Sequence, residues 1–528
     1  MWCLKVPWPR LLPEAAVVTQ RLCLFFPPTT TRNQVLIDVA SYSYSAPGIM
    51  AIFKKHSLRA GNNRTRAAEL TLRESIFPLC LVTILFFLWG FSYGLIDTLN
   101  KHFQEVLHIT RSRSSGLQAA YFGAYPLASL GHANWILRHY GYKACFIWGL
   151  CLYGIGSLIA WPALVYRSFG GFCVAIFITG NGLGSLETAA NPYLTVCGPP
   201  KYSEIRINIA QAFNGIGTVI APVLGSYVFF TDVDDANPSL KNVQWTYLAI
   251  AIFVFVLAFV FYVTPIPEIT DADMAFQAEE THAGTDVKPF WKQYRLFHAA
   301  AAQFCYTGAQ VAIAGAFINY VVDTRQGTSS ATAARFLSGA QGAFALGRFV
   351  GSFLMSRIRP RWVFLVFMTA CIVFISPSIT QRGNTGMSML YVTLFFESII
   401  FPTIVALGMR GLGKYSKRGS GFIIAGVAGG AVVPPILFAA ADSQGQANYA
   451  TGHAPTAIAM SVPLAFFVAA WSYSLAVNFV PQYREVVDKF HTTEIGVVNA
   501  HADEESGSAE IVKSEAPLQT SDVNAPKI

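Results

Sequence analysis

Residues 76–96, IFPLCLVTILFFLWGFSYGLI, decide the fold class because they contain no charged side chain. At a helical rise of 1.5 Å per residue, about 20 such residues cross the roughly 30 Å hydrocarbon core of a membrane. A second stretch, YLAIAIFVFVLAFVFYVTPI at 247–266, has the same character. Of the 528 residues, 53% are hydrophobic and 12% are charged, whereas soluble domains carry charge at about a quarter of their positions. The composition therefore predicts an integral membrane protein.

Apolar segments of sufficient length occur in two sets of six. The first set lies near 76–103, 115–138, 142–165, 168–197, 205–230 and 245–265, and the second near 293–323, 331–357, 361–380, 386–411, 418–440 and 456–480. Between them, the acidic stretch PEITDADMAFQAEETHAGTDVKP is typical of a solvated linker. We predict an all-α membrane protein with twelve transmembrane helices, as six-helix bundles at 76–265 and 293–480 joined by a cytosolic linker at 266–292. This is the outline of a major facilitator superfamily transporter.

The lysine and arginine residues predict the orientation of the chain. If the N-terminus is cytosolic, fourteen of them fall in inner loops and eight in outer loops, which is the positive-inside bias. The inner set is Arg138, Lys143, Lys201, Arg206, Lys288, Lys292, Arg295, Arg357, Arg359, Arg361, Arg410, Lys414, Lys417 and Arg418, and the outer set is Lys101, Arg111, Arg113, Arg167, Lys241, Arg325, Arg335 and Arg382. Both termini are therefore expected in the cytosol, and the protein in the plasma membrane. We predict no nucleic-acid partner, because these residues form no aromatic-laced basic face.

The two ends of the chain lie outside the predicted helices. Residues 1–75 are expected to form a cytosolic N-terminal segment, in which 1–49 is either a gene-model extension or a disordered tail, since Met50 opens a basic stretch. Residues 481–528 are polar and predict a disordered cytosolic tail. The nine cysteines form no CxxC pair and no cluster with histidine at metal spacing, so neither a metal nor another cofactor is predicted.

The glycine-rich stretch GNGLGSLETAANPY (180–193) places a carboxylate, Glu187, and an amide, Asn191, inside the fourth predicted helix. A charge at mid-membrane costs at least a few kcal/mol, so such groups usually face a cavity or a partner. Pro192 has no N–H group, so the Thr188 carbonyl lacks its helical hydrogen-bond donor. Such an unpaired carbonyl is tolerated in a membrane only beside a cavity or another helix. The glycines at 180, 182 and 184 allow another backbone to approach closely. A buried acid that changes its protonation meets the requirement for proton coupling, although pairing with a neighbouring helix would also account for Glu187.

Three further ionisable side chains lie within predicted helices. Asp97 lies in the first helix, either deep in the membrane or at its outer end. Glu397, in the tenth helix, is the only deep carboxylate of the second half and is a candidate to face the cavity. Arg348 lies near the inner end of the eighth helix, where loop or helix-end acceptors would explain it.

Amides in the fifth predicted helix suit a polyhydroxylated ligand, because they donate and accept hydrogen bonds without charge. Asn208, Gln211 and Asn214 follow at spacings of three and share roughly one side of the helix, although helix-to-helix hydrogen bonds would use them equally well. Flat apolar faces for a sugar ring are offered by Trp89, Tyr93 and Phe401. The candidate substrate-binding residues are Trp89, Glu187, Asn191, Asn208, Gln211, Asn214, Gln310, Asn319, Gln341 and Glu397.

Five blocks of the chain resemble segments of the fucose/galactose/glucose permease family of the major facilitator superfamily. They are FFLWGFSYGLIDTL (86–99), GLGSLETAANPYLTV (182–196), RINIAQAFNGIG (206–217), FPTIVALGMRGLG (401–413) and RGSGFIIAGVAGGAVVPPI (418–436). The likeness extends from about residue 80 to residue 480, and the LETAANP block is its most specific element.

The resemblance implies a sugar:proton symporter that works by alternating access. It implies that Asp97 and Glu187 are the functional acid pair, one linked to protonation and the other to sugar binding and its coupling. It also implies that Gln211 occupies a sugar-contacting position.

The chain departs from the fucose permease pattern at several positions. Tyr93, Gly94 and Ile96 replace the asparagine-containing segment before the first-helix acid, Phe401 replaces an aromatic hydroxyl, and Glu397 replaces a non-acidic residue. Specificity for L-fucose therefore does not carry over, and the implied substrate is a hexose of the fucose, galactose or glucose class.

Other functions within this outline stay open. The coupling ion is expected to be a proton, with sodium coupling, an uncoupled carrier and a non-transporting sugar sensor as alternatives. The expected partners are the sugar, the ion and the lipid bilayer, and the protein is expected to be a monomer. We predict no enzymatic activity, because the sequence contains no metal cluster, nucleophile elbow or phosphate-binding loop.

Overall fold

The computed structural model describes residues 72–197, 203–228, 236–270, 289–412 and 415–488. These residues form helices and no β-strand, which confirms the predicted all-α class. Residues 1–71, most of the predicted linker and the tail beyond residue 488 lie outside the described residues. The predictions made for those segments therefore stay predictions.

Helices occur at every position predicted for the first set. They are α1 (Leu72–Val106), α2 (Arg111–Ser114), α3 (Gly116–Gly123), α4 (Ala133–Tyr140), α5 (Tyr142–Val165), α6 (Phe169–Val196), α7 (Ser203–Val228) and α8 (Ala236–Val263). The largest difference is at α8, which begins at Ala236 rather than near residue 245. Its first turns are polar, so they continue the helix without continuing the apolar pattern from which the boundary was predicted.

Helices of the second set also occupy the predicted positions, but three of them are divided. They are α9 (Tyr294–Thr324), α10 (Ser330–Arg357), α11 (Pro360–Thr380), α12 (Gly383–Glu397), α13 (Ile400–Met409), α14 (Ser416–Ala425), α15 (Gly429–Ser443), α16 (Pro455–Ala459) and α17 (Ser461–Phe479). A 3₁₀ turn at Gly426–Ala428 separates α14 from α15. Apolar length predicts where a helix lies, but it does not report such interruptions of the hydrogen-bond ladder.

Ten helical segments within the described ranges are long and apolar enough to cross a membrane. The other two predicted crossings are the α3–α4 region and α10. Between α3 and α4, a π-helical turn (Leu127–His132) contains Gly131 at φ −95° and ψ −115°, outside the helical region. Helix α10 is continuous over 28 residues, but its arginines reduce its apolar character. Membrane crossing by these two segments stays a prediction.

Helix α6 packs closely against its neighbours at the glycines and at the proline of its motif. A Cβ atom at Gly180 would lie 2.3 Å from the Tyr121 carbonyl oxygen, so only glycine permits this approach. Pro192 cannot donate to the Thr188 carbonyl, and the Ser420 hydroxyl of α14 donates to that oxygen over 3.2 Å. The neighbouring helix expected beside the freed carbonyl is therefore present.

Helices of the two sets face each other along the middle of the molecule. Helix α7 packs along α10, α3 packs against α15, and α6 packs against α14. The described residues belong to one compact unit, so the division into two six-helix bundles stays a prediction. The interface between the sets contains most of the polar residues singled out in the sequence.

Candidate functional site

The Glu187 carboxyl group is enclosed within the protein, and 4% of the residue is exposed. Neither of its carboxyl oxygens has a hydrogen-bond partner among the described residues. Asn191, one turn later, donates through Nδ2 to the Glu187 backbone carbonyl over 3.2 Å. Beside the carboxyl group is a cavity of about 10 Å³, which is room for about one water molecule. This cavity is lined by Leu85, Phe86, Trp89, Leu183, Leu186, Glu187 and Ala190. Glu187 therefore lies beside a small, mostly apolar cavity.

Aromatic rings form one wall beside this cavity. Trp89 stacks on Tyr93 with 5.9 Å between ring centroids, and its ring lies 6.1 Å from that of Phe401. The structure thus brings together the three aromatic residues proposed from the sequence. The Trp89 Nε1 donates to the Tyr125 hydroxyl. Sequence reasoning missed Tyr125, because a single tyrosine in an aromatic-rich chain has no distinguishing pattern.

Asp97 is buried between helices of both sets. It is 1% exposed, and within the described ranges neither carboxyl oxygen has a hydrogen-bond partner. A Cβ atom at Gly315 of α9 would lie 2.5 Å from the Gln118 Nε2 of α3 and 3.6 Å from the Asp97 Oδ1. The Gln118 Oε1 accepts from the Asn100 Nδ2 over 3.1 Å. Asp97 is therefore enclosed rather than exposed at a helix end, and sequence reasoning missed the two amides beside it.

Gln211 and Asn214 of α7 face Arg348 of α10. The guanidinium group donates to the Gln211 Oε1 over 2.8 Å and to the Asn214 Oδ1 over 2.9 Å, and also to the Gln211 backbone carbonyl. The Asn214 Nδ2 donates to the Phe86 carbonyl of α1 over 3.2 Å. The expectation of loop or helix-end acceptors for Arg348 is met by the Ser398 carbonyl at the end of α12, but the acceptors on Gln211 and Asn214 lie within α7. Because α10 packs along α7, the Arg348 side chain reaches across the interface between the two sets.

Arg348 reaches the break between α12 and α13, where Glu397 ends α12. Glu397 is 1% exposed, and its Oε1 has no hydrogen-bond partner in the part of the chain that the structure describes. The Tyr306 hydroxyl donates to the Glu397 backbone carbonyl over 2.6 Å. Pro402 leaves the Ser398 carbonyl without its helical donor, and the Arg348 Nε donates to that oxygen over 3.1 Å. The break therefore supplies a free backbone carbonyl that the guanidinium group uses.

The remaining candidate residues are buried but lie apart from this arrangement of hydrogen bonds. Asn208 donates to the Met355 sulfur over 3.8 Å. Gln310 and Asn319 are buried in α9, and Gln341 is buried in α10. Their assignment to the substrate stays a prediction.

Contacts between the two sets close both ends of the helices. Where α1 and α9 end, Arg111 donates to the two Asp323 carboxylate oxygens over 3.0 and 3.1 Å and to the Thr456 hydroxyl over 3.0 Å. We call these three residues the latch. At the opposite end, the Asn134 Nδ2 donates to the Lys417 carbonyl over 3.2 Å. The two sets therefore contact each other at both ends of the helices.

A half-buried carboxylate outside the membrane-spanning segments lies at the end opposite the latch. Glu268 accepts from the backbone N–H of Tyr142 over 2.8 Å and from that of Lys143 over 2.9 Å. Burial raises the pKa of Glu268, and the two hydrogen bonds and the charges of Lys417 and Lys143 oppose that change. The balance makes this end of the molecule sensitive to pH.

The chain and its fold match a known group of proteins. A model of the Major Facilitator Superfamily matches residues 82–435. The chain belongs to the Major Facilitator Superfamily. Its resemblance to the fucose/galactose/glucose permease family is confirmed by relatives named as such transporters. The protein is therefore an integral multi-pass membrane transporter and not an enzyme.

Two curated relatives cover most of the described residues. The L-fucose-proton symporter of Escherichia coli strain K12 is 33% identical over 394 residues, which are 71% of this chain and 89% of the relative. The glucose/galactose transporter of Brucella abortus biovar 1 (strain 9-941) is 33% identical over 389 residues, which are 73% of this chain and 92% of the relative.

Solved structures share the fold of this superfamily member. The crystal structure of the transporter FucP in the outward conformation matches with a TM-score of 0.61 and 30% identity, over 76% of this chain and 98% of that one. The proton:xylose symporter XylE, bound to 6-bromo-6-deoxy-D-glucose, matches with a TM-score of 0.58 and 13% identity, over 76% of this chain and 96% of that one. The second similarity concerns the fold alone.

Proposed function

We propose that this transporter imports a hexose of the fucose, galactose or glucose class by proton symport and alternating access. The observation that carries the proposal is Glu187, which is buried in α6 beside a small cavity and whose carboxyl oxygens have no hydrogen-bond partner in the described structure. The printed names of the relatives, an L-fucose-proton symporter and a glucose/galactose transporter, support the substrate class.

The candidate residues have the chemistry that a sugar requires. The Gln211 Nε2, which is buried without a hydrogen-bond partner in the described structure, can donate to a hydroxyl group, and Trp89, which lines the cavity, offers an apolar face to the C–H side of a pyranose ring. A few polar groups in a mostly apolar cavity are the usual composition of a small-molecule site. In this proposal the space for the sugar forms when the two sets separate.

Glu187 couples the sugar to the proton. An ionised carboxylate without a partner in the membrane interior costs at least a few kcal/mol, so passage through the closed state requires protonated Glu187. Because coupling is reciprocal, protonation raises the affinity for sugar by the same factor by which sugar raises the affinity for the proton. Asp97, also buried without a hydrogen-bond partner in the described residues, is the second acid of the pair.

The proposed transport cycle assigns each end of the molecule to one side of the membrane. Both termini are cytosolic, so the latch faces outward and the Asn134–Lys417 contact faces the cytosol. Two six-helix bundles rock about the central site, and they open the two ends in turn. We place the protein in the plasma membrane as a monomer.

Uptake into proteoliposomes tests this proposal. The purified full chain is reconstituted, and uptake of labelled L-fucose, D-galactose and D-glucose is measured with an inward proton gradient, an inward sodium gradient, or neither. We expect accumulation of at least one of these hexoses above its external concentration only with the proton gradient.

The other outcomes separate the alternatives. Accumulation driven by sodium would contradict proton coupling, and equilibration without accumulation would identify an uncoupled carrier. Saturable binding without flux would identify a sensor. The Glu485→Gln variant, at an exposed position, is the matched control for acid-to-amide substitutions and is expected to retain wild-type uptake.

A further inference from the structure

Three amide side chains form a hydrogen-bonded row between Asp97 and the latch end of α1. The Gln104 Nε2 donates to the Asn100 Oδ1 over 3.4 Å, and the Asn100 Nδ2 donates to the Gln118 Oε1 of α3 over 3.1 Å. We call Gln104, Asn100 and Gln118 the amide row. Asn100 and Gln118 are buried, whereas Gln104 is half-buried. At 1.5 Å per residue, Gln104 lies about 10 Å beyond Asp97 along α1, so the row covers the distance from the latch end to the acid.

The amide row is fixed to the latch through α2. The Gln104 Nε2 also donates to the Ser114 hydroxyl over 2.8 Å, and that hydroxyl donates to the Arg111 carbonyl over 2.8 Å. Arg111 binds Asp323 of the second set through its guanidinium group. Helix α2 has only four residues, so a movement of Arg111 that opens the latch also moves Ser114. The hydrogen bond that holds Gln104 therefore depends on the latch.

The other end of the row has an unused donor beside an unused acceptor. The Gln118 Nε2 and both Asp97 carboxyl oxygens are buried without a hydrogen-bond partner in the described structure. A single Cβ atom at Gly315 would lie 2.5 Å from the Gln118 Nε2 and 3.6 Å from the Asp97 Oδ1, so the two groups border the same space. A hydrogen bond from an amide N–H to an ionised carboxylate is stronger than one between neutral groups. The closed arrangement omits this bond and therefore favours protonated Asp97.

The donors of the amide row all point in one direction. Gln104 donates to Asn100, Asn100 donates to Gln118, and the unused Gln118 Nε2 lies at the Asp97 end. An ionised carboxylate only accepts hydrogen bonds, so this polarity suits the charged form of Asp97. Packing between α1 and α3 would account for the Asn100–Gln118 bond alone. It would not account for an unpaired buried donor beside the acid, which is unfavourable.

We propose that the amide row links the ionisation of Asp97 to the opening of the latch, with Gln118, Asn100 and Gln104 as positioning residues. With the latch closed, Ser114 holds the row and keeps Gln118 from the carboxyl group. When the latch opens, Ser114 withdraws from Gln104, and Gln118 turns to donate to the ionised carboxylate. Protonation of Asp97 removes that stabilisation and favours closure. This inference rests on the proposed proton symport and names the residues through which the acid of α1 controls the latch.

Other titratable groups lie around Asp97. The Tyr93 hydroxyl, one turn earlier on α1, interacts electrostatically with Asp97 and with Glu397 and Tyr306 of the second set. Further charged or titratable side chains on α1 and on the elements packed against it are Lys101, His102, Glu105, Arg111, Tyr121, Glu187 and Asp323. The Tyr93 hydroxyl has no hydrogen-bond partner in the described residues, so a substitution of Ser114 acts on the amide row without breaking a bond of Tyr93.

Infrared titration of Asp97 tests this inference in the absence of sugar. The carbonyl stretching band of protonated carboxyl groups is recorded for the purified full chain in lipid between about pH 4 and about pH 10, a range that covers buried carboxyl groups. The band of Asp97 is assigned by its loss in Asp97→Asn. The quantity compared between variants is the midpoint, the pH at which this band has half of its maximal intensity.

Two substitutions are expected to move the midpoint in opposite directions. Gln118→Met keeps the length of the side chain and removes the donor to the ionised form, so the midpoint is expected to rise by about one pH unit or more. Ser114→Ala frees the row from the latch, so Gln118 reaches the carboxylate in closed molecules and the midpoint is expected to fall by about half a pH unit or more. Ser115→Ala is the matched control, because the Ser115 hydroxyl donates to the Ser112 carbonyl and not to the amide row, and it is expected to keep the wild-type midpoint.

Several results would overturn the inference. Gln118→Leu replaces Gln118→Met if the latter does not fold, and a midpoint that does not rise in the folded variant would contradict the role of Gln118. A midpoint that does not fall in Ser114→Ala, or that falls equally in Ser115→Ala, would contradict the link to the latch. An Asp97 band that persists over the whole pH range would exclude ionisation of this acid. Absence of hexose accumulation driven by the proton gradient would instead overturn the proposed function, and the infrared midpoints do not depend on it.

Discussion

At the scale of single residues, the site contains a backbone carbonyl without its helical donor and two carboxyl groups without hydrogen-bond partners in the described structure. Proline removes the donor to the Thr188 carbonyl, and Ser420 of another helix supplies a replacement. Glu187 and Asp97 have no replacement partner within the described chain. Ser420 therefore stabilises the packing of the helices, whereas the carboxyl groups of Glu187 and Asp97 are available to a ligand.

The hydroxyl of Ser420 is expected to contribute measurably to stability. Ser420→Ala leaves the buried Thr188 carbonyl without a donor, which costs about 1–3 kcal/mol, and the thermal midpoint in detergent is expected to fall. Ser443→Ala is the control, because that exposed hydroxyl donates only within its own helix, to Ala440, and it is expected to have no effect. Equal midpoints for the two variants would show that the Thr188 carbonyl does not need Ser420.

Glu268 is expected to make stability depend on pH. Burial raises its pKa in the folded state, so in the window above its ordinary value the folded chain holds more protons than the unfolded chain, and stability falls as pH rises. Glutamine does not ionise. The thermal midpoint of the wild type minus that of Glu268→Gln is therefore expected to decrease between about pH 4 and about pH 8.

The control for this prediction is the exposed Glu485→Gln, for which the difference in thermal midpoint is expected to stay constant with pH. A difference for Glu268→Gln that increases with pH would contradict the direction of the pKa change.

The sequence predicted the buried acids but not the partner of Arg348. Residue type and distance from a helix end were enough to single out Asp97, Glu187 and Glu397, since any charge inside an apolar helix requires an explanation. They placed Arg348 with helix-end acceptors, of which the Ser398 carbonyl is one, but they did not predict the α7 acceptors, because the position along α10 says nothing about which helix packs beside it. That information lies in the contact between α7 and α10, which are far apart in the sequence.

At the scale of helices, the close approach of α6 to its neighbours depends on glycine. A Cβ atom would lie 2.3 Å from the Tyr121 carbonyl oxygen at Gly180 and 2.5 Å from the Tyr153 nitrogen at Gly182. The sequence predicted this packing from glycine spacing. It did not predict the π-helical turn at Leu127–His132 or the break before Ile400, because hydropathy reports apolar length and not backbone hydrogen bonding.

Two alanine substitutions in the same helix test this packing. Gly180→Ala forces backbone against a methyl group and is expected to cost about 1–3 kcal/mol, which lowers the thermal midpoint and the uptake rate. Gly170→Ala adds its Cβ where no atom lies within 4 Å, so it is expected to change neither. If Gly180→Ala and Gly170→Ala have the same thermal midpoint and the same uptake rate, the close approach at Gly180 does not require glycine.

At the scale of the whole molecule, the closed state depends on contacts between residues far apart in sequence. Arg111 and Asp323 are separated by 212 positions and form a bidentate ion pair. The sequence predicted that Arg111 lies on the outer side but made no prediction for Asp323 or for the contact between them. Such pairings follow from the packing of the two sets, which one sequence does not encode as a local pattern.

Charge reversal at the latch is expected to impair transport, and a second reversal is expected to restore it. Arg111→Asp places two carboxylates together at the latch, and like charges in contact cost several kcal/mol, so uptake is expected to fall at least tenfold. Adding Asp323→Arg recreates the pair with opposite polarity and should recover part of the rate. Arg113→Asp, at an exposed position of the same short helix, is expected to leave uptake unchanged, and absence of rescue would exclude a direct role for the pair.

The most direct test of the central claim is the pH change inside proteoliposomes when a hexose is added outside, measured for the wild type, Glu187→Gln, Asp97→Asn and the control Glu485→Gln. The account predicts acidification that depends on the sugar in the wild type and the control, and its loss in both acid variants. Sugar entry without proton movement in the wild type, or proton movement that persists in Glu187→Gln, would contradict the assignment of coupling to the buried acid of α6.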